Sequence, residues 1–368
     1  MHAERLDRVR AAMSEQGVEV LLLSVGPDLP WLIGYEAMPL ERLTMLVVPA
    51  DGEATLVVPR LEAPRVVEHP DVFTIDPWNE TEDPIARVAA HCGPAVRLAI
   101  GDRTWSRFLV DLQSALPTAS FGKASDVTAP LRSIKDDAEI DALRRAGAAA
   151  DRVATQLQAG DIPLVGRTEA EVSADIGRRL LDEGHQRVNF AIVAAGANAA
   201  SPHHDATERT IERGDVVLCD FGGTLVADGG AGYCSDITRC VHLGPPPADL
   251  AEAYQVLHEA QAAAVDAAQV GTSCEEVDAT ARRIIAAAGY GDRFVHRTGH
   301  GIGVEEHEDP YVVAGNTTVL QAGHAFSIEP GIYTPGRWGL RLEDIVVAAE
   351  DGPEALNRVD HDLVVLDV

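Results

Sequence analysis

Four carboxylates, Asp220, Asp236, Glu329 and Glu343, each lie within or at the end of an otherwise apolar, strand-like run. Asp220 ends VVLCD, Asp236 precedes Ile237 and Thr238, Glu329 ends AFSIE, and Glu343 precedes Asp344 and IVV. An ionised carboxylate in such a place is costly unless it is paired or bound to a metal. One such acid is usually a hydrogen-bonded structural residue. Four, two in each half of a segment, point to bound cations. Asp220 and Asp236 are sixteen positions apart, and Glu329 and Glu343 fourteen. Even separations let a three-residue loop set the two acids of a pair opposite each other on one face. The predicted midpoints are Asp228, inside ADGG, and Gly336, inside TPGR, both good turns. Directly opposed strand residues lie roughly 4.5–5.5 Å apart at Cα. Two facing hairpins of this kind predict an oxygen-rich cage for two divalent metals, an arrangement used in hydrolysis.

A nitrogen ligand would complete the set. HRTGHGIGVEEH offers His296, His300 and His307, and SPHHDA offers His203 and His204; position alone leaves each open as a core or surface residue. His296 and His300 have the spacing of a helical zinc pair, but Gly299, Gly301 and Gly303 argue against a helix. The glycines are expected to let the backbone approach a ligand closely. A cage dominated by oxygen suits manganese or cobalt(II) better than a sulfur-loving metal.

The elements that must position these groups follow a pattern. Residues 4–16 place Leu6, Val9 and Met13 at helical spacing, with Gly17 as a stop. Val18–Leu23 reads as a buried strand, and LTMLVVP and ATLVVP about Asp51-Gly52 as a hairpin. With VRLAIGD these predict a small α/β domain ending near residue 132, where SIKDDAEIDALRRA opens a long helix. Thr168 and Glu171 form a capping box ahead of an amphipathic helix, and a similar helix opens at Thr272-Ser273. Gly166, Glu171, Val172, Arg178 and Gly184 recur 105 residues later as Gly271, Glu276, Val277, Arg283 and Gly289. Each helix leads towards a pair of acid-bearing strands, which predicts an internal duplication.

The chain has 368 residues, 46% hydrophobic and 24% charged, with a formal charge of −28. Length implies two domains. Such negative charge disfavours nucleic acid and anionic membranes. Cys92, Cys219, Cys234, Cys240 and Cys274 are odd in number and scattered, as expected of buried thiols in a reducing cytoplasm rather than a disulfide framework. The charged, amphipathic start is not a secretory signal, and no apolar run is long enough to span a bilayer.

HRTGHGIGVEEHEDP, SIEPGIY and LRLEDIV jointly resemble the signature segments of the creatinase/prolidase/methionine-aminopeptidase family. ERLDRVRAAM, WLIGYEAMPLERL and TLVVPRLEAP resemble its proline-directed dipeptidases and aminopeptidases. The resemblance implies an α/β creatinase-like N-terminal domain, residues 1–131. It also implies an α+β pita-bread catalytic domain, residues 132–368, with an internal pseudo-twofold duplication. It further implies Asp220, Asp236, His300, Glu329 and Glu343 as ligands of two divalent ions, Mn2+ or Co2+. Glu329 would move the proton, and His307 and His203 would hold the carbonyl. His296, Tyr333 and Arg341 match positions lining or supporting the site. In the family the two aspartates usually lie closer in sequence; here TLVADGGAG, residues 224–232, lengthens the hairpin tip, which is expected to protrude without moving the ligands.

The implied activity is cleavage of an N-terminal residue from a following proline, by a dipeptidase (prolidase) or by an aminopeptidase acting on longer peptides. A non-peptidase C–N hydrolase and a binding module of the same fold are remoter alternatives. Tyr333 and Trp338 are candidates for an apolar proline slot. Arg337 or Arg341 would supply the cation for a dipeptide's carboxylate, unless Arg341 is consumed in holding acids. Related peptidases are commonly homodimers, so the apolar run from Trp31 to Glu36 is expected near a partner's cleft or packed within the small domain.

Overall fold

The computed structural model describes residues 2–226 and 230–367. It divides into two compact units, the first running to Arg132 and the second starting at Ser133.

The first unit contains α1 (His2–Gln16), β1 (Val20–Leu23), α2 (Asp28–Ile33), β2 (Met45–Pro49), β3 (Ala54–Pro59), β4 (Phe73–Trp78), α3 (Pro84–Cys92), β5 (Arg97–Ile100), α4 (Ser106–Ala115), β6 (Ser120–Lys123) and α5 (Ser125–Ser133). Its sheet runs β4-β3-β2-β1-β5-β6. Leu6, Val9 and Met13 bury the predicted stripe of α1, and Gly17 ends it in a left-handed conformation at φ +68°. Of the run beginning at Trp31, only Trp31–Ile33 are helical, closing α2; Gly34 caps it, the chain to residue 44 is irregular, and Trp31 is buried.

The second unit opens with α6 (Asp137–Gln158), α7 (Glu169–Asp182), β7 (Arg187–Ala195), β8 (Val216–Val226), β9 (Gly232–Cys234) and β10 (Ile237–Leu243). It continues with α8 (Ala248–Ala267), α9 (Cys274–Ala287), β11 (Gly299–Gly301), β12 (Glu308–Val312), β13 (Ala325–Ile328), β14 (Gly331–Thr334), β15 (Trp338–Arg341), β16 (Asp344–Val347), β17 (Glu354–Ala355) and β18 (Val364–Leu366). One sheet runs β18-β10-β8-β7, with β9 on β8; the other runs β12-β11-β13-β16-β17. The α6 and α7 helices pack on the first sheet, and α8 and α9 on the second. Helices α7 and α9 begin and end 105 residues apart, and the recurring glycines are left-handed in both halves: Gly166 and Gly184, Gly271 and Gly289. In α7, Val172, Ile176 and Leu180 bury one i, i+4 stripe, each worth about 1.5–3 kcal/mol. The duplicated, pita-bread arrangement is therefore present, following a creatinase-type α/β domain in the sequence.

Register decides where the acids fall. In the second hairpin Ile328 pairs with Asp344 and Gly331 with Arg341, so Glu329 and Glu343 stand opposite each other as predicted, and Gly336 turns the chain at φ +74°. The first hairpin differs. Thr238, not Asp236, faces Asp220, and Asp236 lies in a break between β9 and β10. The slip is two residues, which preserves the face and makes the aspartates diagonal neighbours. The predicted turn at Asp228, within the lengthened 224–232 tip, lies outside the described residues. An isolated bridge between Thr238 and Glu343 joins the two halves at the acids.

Candidate metal centre and cleft

Asp220 on β8, Asp236 beside β10, His300 in β11, Glu329 after β13 and Glu343 before β16 converge on one cleft of about 420 Å³. Ligand-capable atoms of Asp236, His300 and Glu343 all lie within 4.8 Å of one another. His300 Nε2 is 3.2 Å from Glu329 Oε1 and 3.8 Å from Asp236 Oδ2. Its Nδ1 lies 3.1 Å from the Gly301 carbonyl, which can only accept, so the proton of the neutral ring sits on Nδ1 and the Nε2 lone pair faces the acids. Buried oxygens Asp220 Oδ1 and Asp236 Oδ1 have no hydrogen-bond partner. Burial, then Glu343, Asp220 and Glu329, pushes Asp236 well above the usual carboxylate range; burial, Glu329 and Asp220 do the same to Glu343. Burial also opposes ionisation of Glu329; a second proton on His300, placed on Nε2, would supply a hydrogen bond and a charge that lower Glu329 to about 2, whereas the neutral ring offers a lone pair there instead. Lone pairs that converge with no proton between them, and orphaned buried oxygens, fit divalent cations.

The surrounding residues hold this cluster in place. Thr238 Oγ1 donates to Glu343 Oε2 at 2.6 Å, and Ser327 Oγ to Glu329 Oε1 at 3.1 Å. Arg341 is buried, and each of its three nitrogens is engaged: it donates to Asp220 Oδ2 at 2.5 Å, Tyr333 Oη at 2.9 Å, the Pro202 carbonyl at 3.1 Å and Thr238 Oγ1 at 3.2 Å. It is thus consumed in holding an acid. Tyr333 Oη also bonds His296 Nε2 at 2.8 Å, while His296 Nδ1 meets the Arg297 carbonyl at 2.7 Å. His296 therefore lines the cleft with both nitrogens satisfied inside the protein.

His307 has an open edge on the cleft, its ring centroid 3.8 Å from that of His300. Partial withdrawal from water, then His300 and Arg297, lowers it to about 4. Arg297 Nη2 donates to His307 Nδ1 at 3.1 Å, which leaves the ring proton on Nε2. His203 is exposed where it lines the cleft, whereas His204 turns away to Glu169 Oε2 at 2.9 Å.

Three sequence expectations change. Arg337 does not line the cleft; it is exposed at the β14–β15 turn and pairs with Asp249 at 2.7 Å, because the hairpin tip reaches towards the start of α8. Tyr333 and Trp338 form no open slot: Tyr333 is committed to Arg341 and His296, and Trp338 belongs to the core with Leu340 and Tyr254. Gly299, Gly301 and Gly303 admit neighbouring protein rather than a ligand, since a Cβ there would collide with Ser327, Asp309 and Glu308 respectively. The cleft's apolar surface comes instead from Phe190, Ile192 and Pro202. Alternation carries the signal for two of them: Phe190 and Ile192 are two apart on β7, and Ile192 pairs with Asp220.

Fold and site together define a metallopeptidase with a creatinase-type first domain. Residues 141–350 match the model of metallopeptidase family M24, and residues 5–134 match the creatinase/prolidase N-terminal domain. The chain belongs to metallopeptidase family M24 and is a prolidase-like peptidase. It is 45% identical to a probable dipeptidase PepE of Mycobacterium tuberculosis, over 100% of this chain and 97% of the relative. It is 36% identical to an Xaa-Pro dipeptidase of Lactobacillus delbrueckii, over 99% of each. The crystal structure of a prolidase from Thermococcus sibiricus superposes with a TM-score of 0.93 at 35% identity, over 100% of this chain and 99% of that one.

Proposed function

We propose that this protein is a dinuclear-metal Xaa-Pro dipeptidase, hydrolysing the bond between an N-terminal residue and proline. The observation that carries it is the convergence of four carboxylates and the His300 lone pair on one cleft, with two buried acid oxygens left unpartnered. Asp220, Asp236, His300, Glu329 and Glu343 would hold the two ions, and an oxygen-rich set suits Mn2+ or Co2+. When bound, the ions polarise the scissile carbonyl and lower the pKa of water. The names of the dipeptidase and prolidase relatives support the substrate class.

The chain's own residues account for the remaining steps. A bond to proline is a tertiary amide, and its nitrogen must be protonated to leave. Glu329 accepts a proton from the attacking water and delivers it to that nitrogen. His307 donates Nε2–H to the carbonyl oxygen as negative charge develops, with His203 across the same cleft. Phe190, Ile192 and Pro202 shield the prolyl ring from water. The expected assembly is a cytoplasmic homodimer, which sedimentation velocity checks. The functional test is exhaustive chelation followed by return of Mn2+ or Co2+, with turnover followed on Ala-Pro and Ala-Pro-Ala. Loss and restoration on Ala-Pro, with Ala-Pro-Ala slower, supports the dipeptidase. Full activity after demetallation removes the two-metal reading, and preference for the tripeptide replaces dipeptidase with aminopeptidase.

A further inference from the structure

We propose that Arg297 selects dipeptides by receiving the free carboxylate of the residue that follows the cleaved bond. This rests on the exopeptidase reading above and assigns its specificity to one side chain. Two arginines line the cleft. Arg341 is buried with its guanidinium spent on Asp220, Tyr333, Thr238 and the Pro202 carbonyl. Arg297 is half-exposed and, among the described residues, makes no ion pair with an acid. In a chain carrying −28 formal charge, a cleft arginine left without a carboxylate is unusual.

Its surroundings fix its plane without neutralising it. The guanidinium lies over the Tyr311 ring at 4.5 Å, and Nη2 donates to the acceptor nitrogen of His307 at 3.1 Å. Stacking and one hydrogen bond pre-orient the fork, and its other N–H groups remain for a planar, charged acceptor. The scale fits a dipeptide. Its carboxylate carbon is joined to the scissile carbonyl carbon only through the leaving nitrogen and one Cα. A cation bonded to His307, the donor to that carbonyl, stands beside the place the carboxylate must occupy. A third residue on the substrate would turn this carboxylate into a neutral amide and forfeit the charge-assisted contact. Arg297 has a second consequence: by holding His307 Nδ1 it also keeps the Nε2–H aimed outward, so a purely positioning role must be separated from recognition.

The experiment uses the full-length, metal-loaded protein and its Arg297→Ala and Arg297→Lys variants. Substrates are Ala-Pro and Ala-Ala, each as free acid and as C-terminal amide. Expected is a wild-type preference for acid over amide of about 10- to 100-fold in kcat/KM, carried mainly by KM. Arg297→Ala collapses that ratio towards unity, and Arg297→Lys retains part of it. A ratio that survives Arg297→Ala, with both substrates slowed equally, overturns recognition and leaves only positioning of His307. Wild-type protein without acid preference also overturns it. Cleavage of Ala-Ala with Ala-Pro untouched ends the proline reading while the acid-to-amide ratio still decides Arg297. Turnover of no free acid overturns both.

Discussion

Tyr333 shows how far the cluster depends on a side chain that never reaches the cleft. Its hydroxyl accepts from Arg341 and donates to His296, tying the guanidinium that holds Asp220 to the cleft wall. Tyr333→Phe removes one oxygen and leaves two buried polar groups unmatched. Outer partners of metal sites are commonly worth about 10- to 100-fold, so kcat/KM should fall by that factor. Stability should fall by about 1–3 kcal/mol. Steady-state kinetics within twofold of wild type would show that the relay does not matter. The four carboxylates were legible from sequence because a charge in an apolar strand has no cheap alternative explanation, whereas position left His300 open and the family resemblance singled it out. Phe190 and Ile192 share one face of β7 by alternation, but neither was singled out, because an apolar residue on a strand looks the same whether it faces a core or a substrate. Arg297 was not singled out, although on type alone it equals Arg337. What separates them is that one hairpin tip carries Arg337 to Asp249, a long-range contact with no local signature.

At the level of elements, the duplicated helices give a paired test of capping. Thr168 accepts from the Glu171 amide at 3.2 Å, and Glu171 returns a bond to the Thr168 amide at 2.9 Å. Ser273 makes only a longer bond to Glu276, at 3.4 Å, and the Glu276 side chain goes instead to Arg283 at 3.0 Å. Thr168→Ala should therefore cost about 1–1.5 kcal/mol and Ser273→Ala about 0.5 kcal/mol by chemical denaturation. Equal costs, or the reverse order, would contradict the reciprocal box as the stronger cap. The cap positions, the recurring glycines and the second hairpin's register were all readable, because turn chemistry is local. The first hairpin was read two residues out, since Asp236 sits in a break that Ser235 secures through Gly223.

His324, just before β13, supplies a pH prediction at the same scale. It is 2% exposed and its Nδ1 accepts from the Gln321 amide at 3.2 Å; burial, then Lys135, lowers it to about 4. The unfolded chain takes up this proton near pH 6.5 and the folded chain does not. The stabilising contribution is thus complete above about 6.5, is lost as pH falls towards 4, and changes no further below that, a total of about 3 kcal/mol. Urea denaturation at stepped pH should show a shallower decline between pH 6.5 and 4 in His324→Gln than in wild type. Identical slopes would assign the acid sensitivity to other groups.

For the molecule as a whole, the acid cluster ties folding to its ions. Asp236 and Glu343 are buried, repel their neighbours and resist ionisation, while Arg341 is, among the described residues, the one arginine or lysine that pairs with a member of the set. The cluster sits where the two halves of the second unit meet, at the Thr238–Glu343 bridge, so its repulsion acts on the joint itself. Ions that bind the folded form and not the unfolded one stabilise it by mass action, about 2.7 kcal/mol at a hundredfold excess over the dissociation constant. For a unit of this size that is a rise in melting temperature of about 5–10 °C. The first unit contributes none of the five residues, so a calorimetric scan should move the transition of the second unit and leave any separate transition of the first in place. Asp236→Asn keeps the shape, removes one charge and one strong ligand, and should melt higher than wild type without metal while gaining less when Mn2+ is added. A wild-type melting temperature indifferent to Mn2+ and to chelator would break the link between cluster and fold. The same gain in Asp236→Asn as in wild type would place the stabilising ions somewhere else.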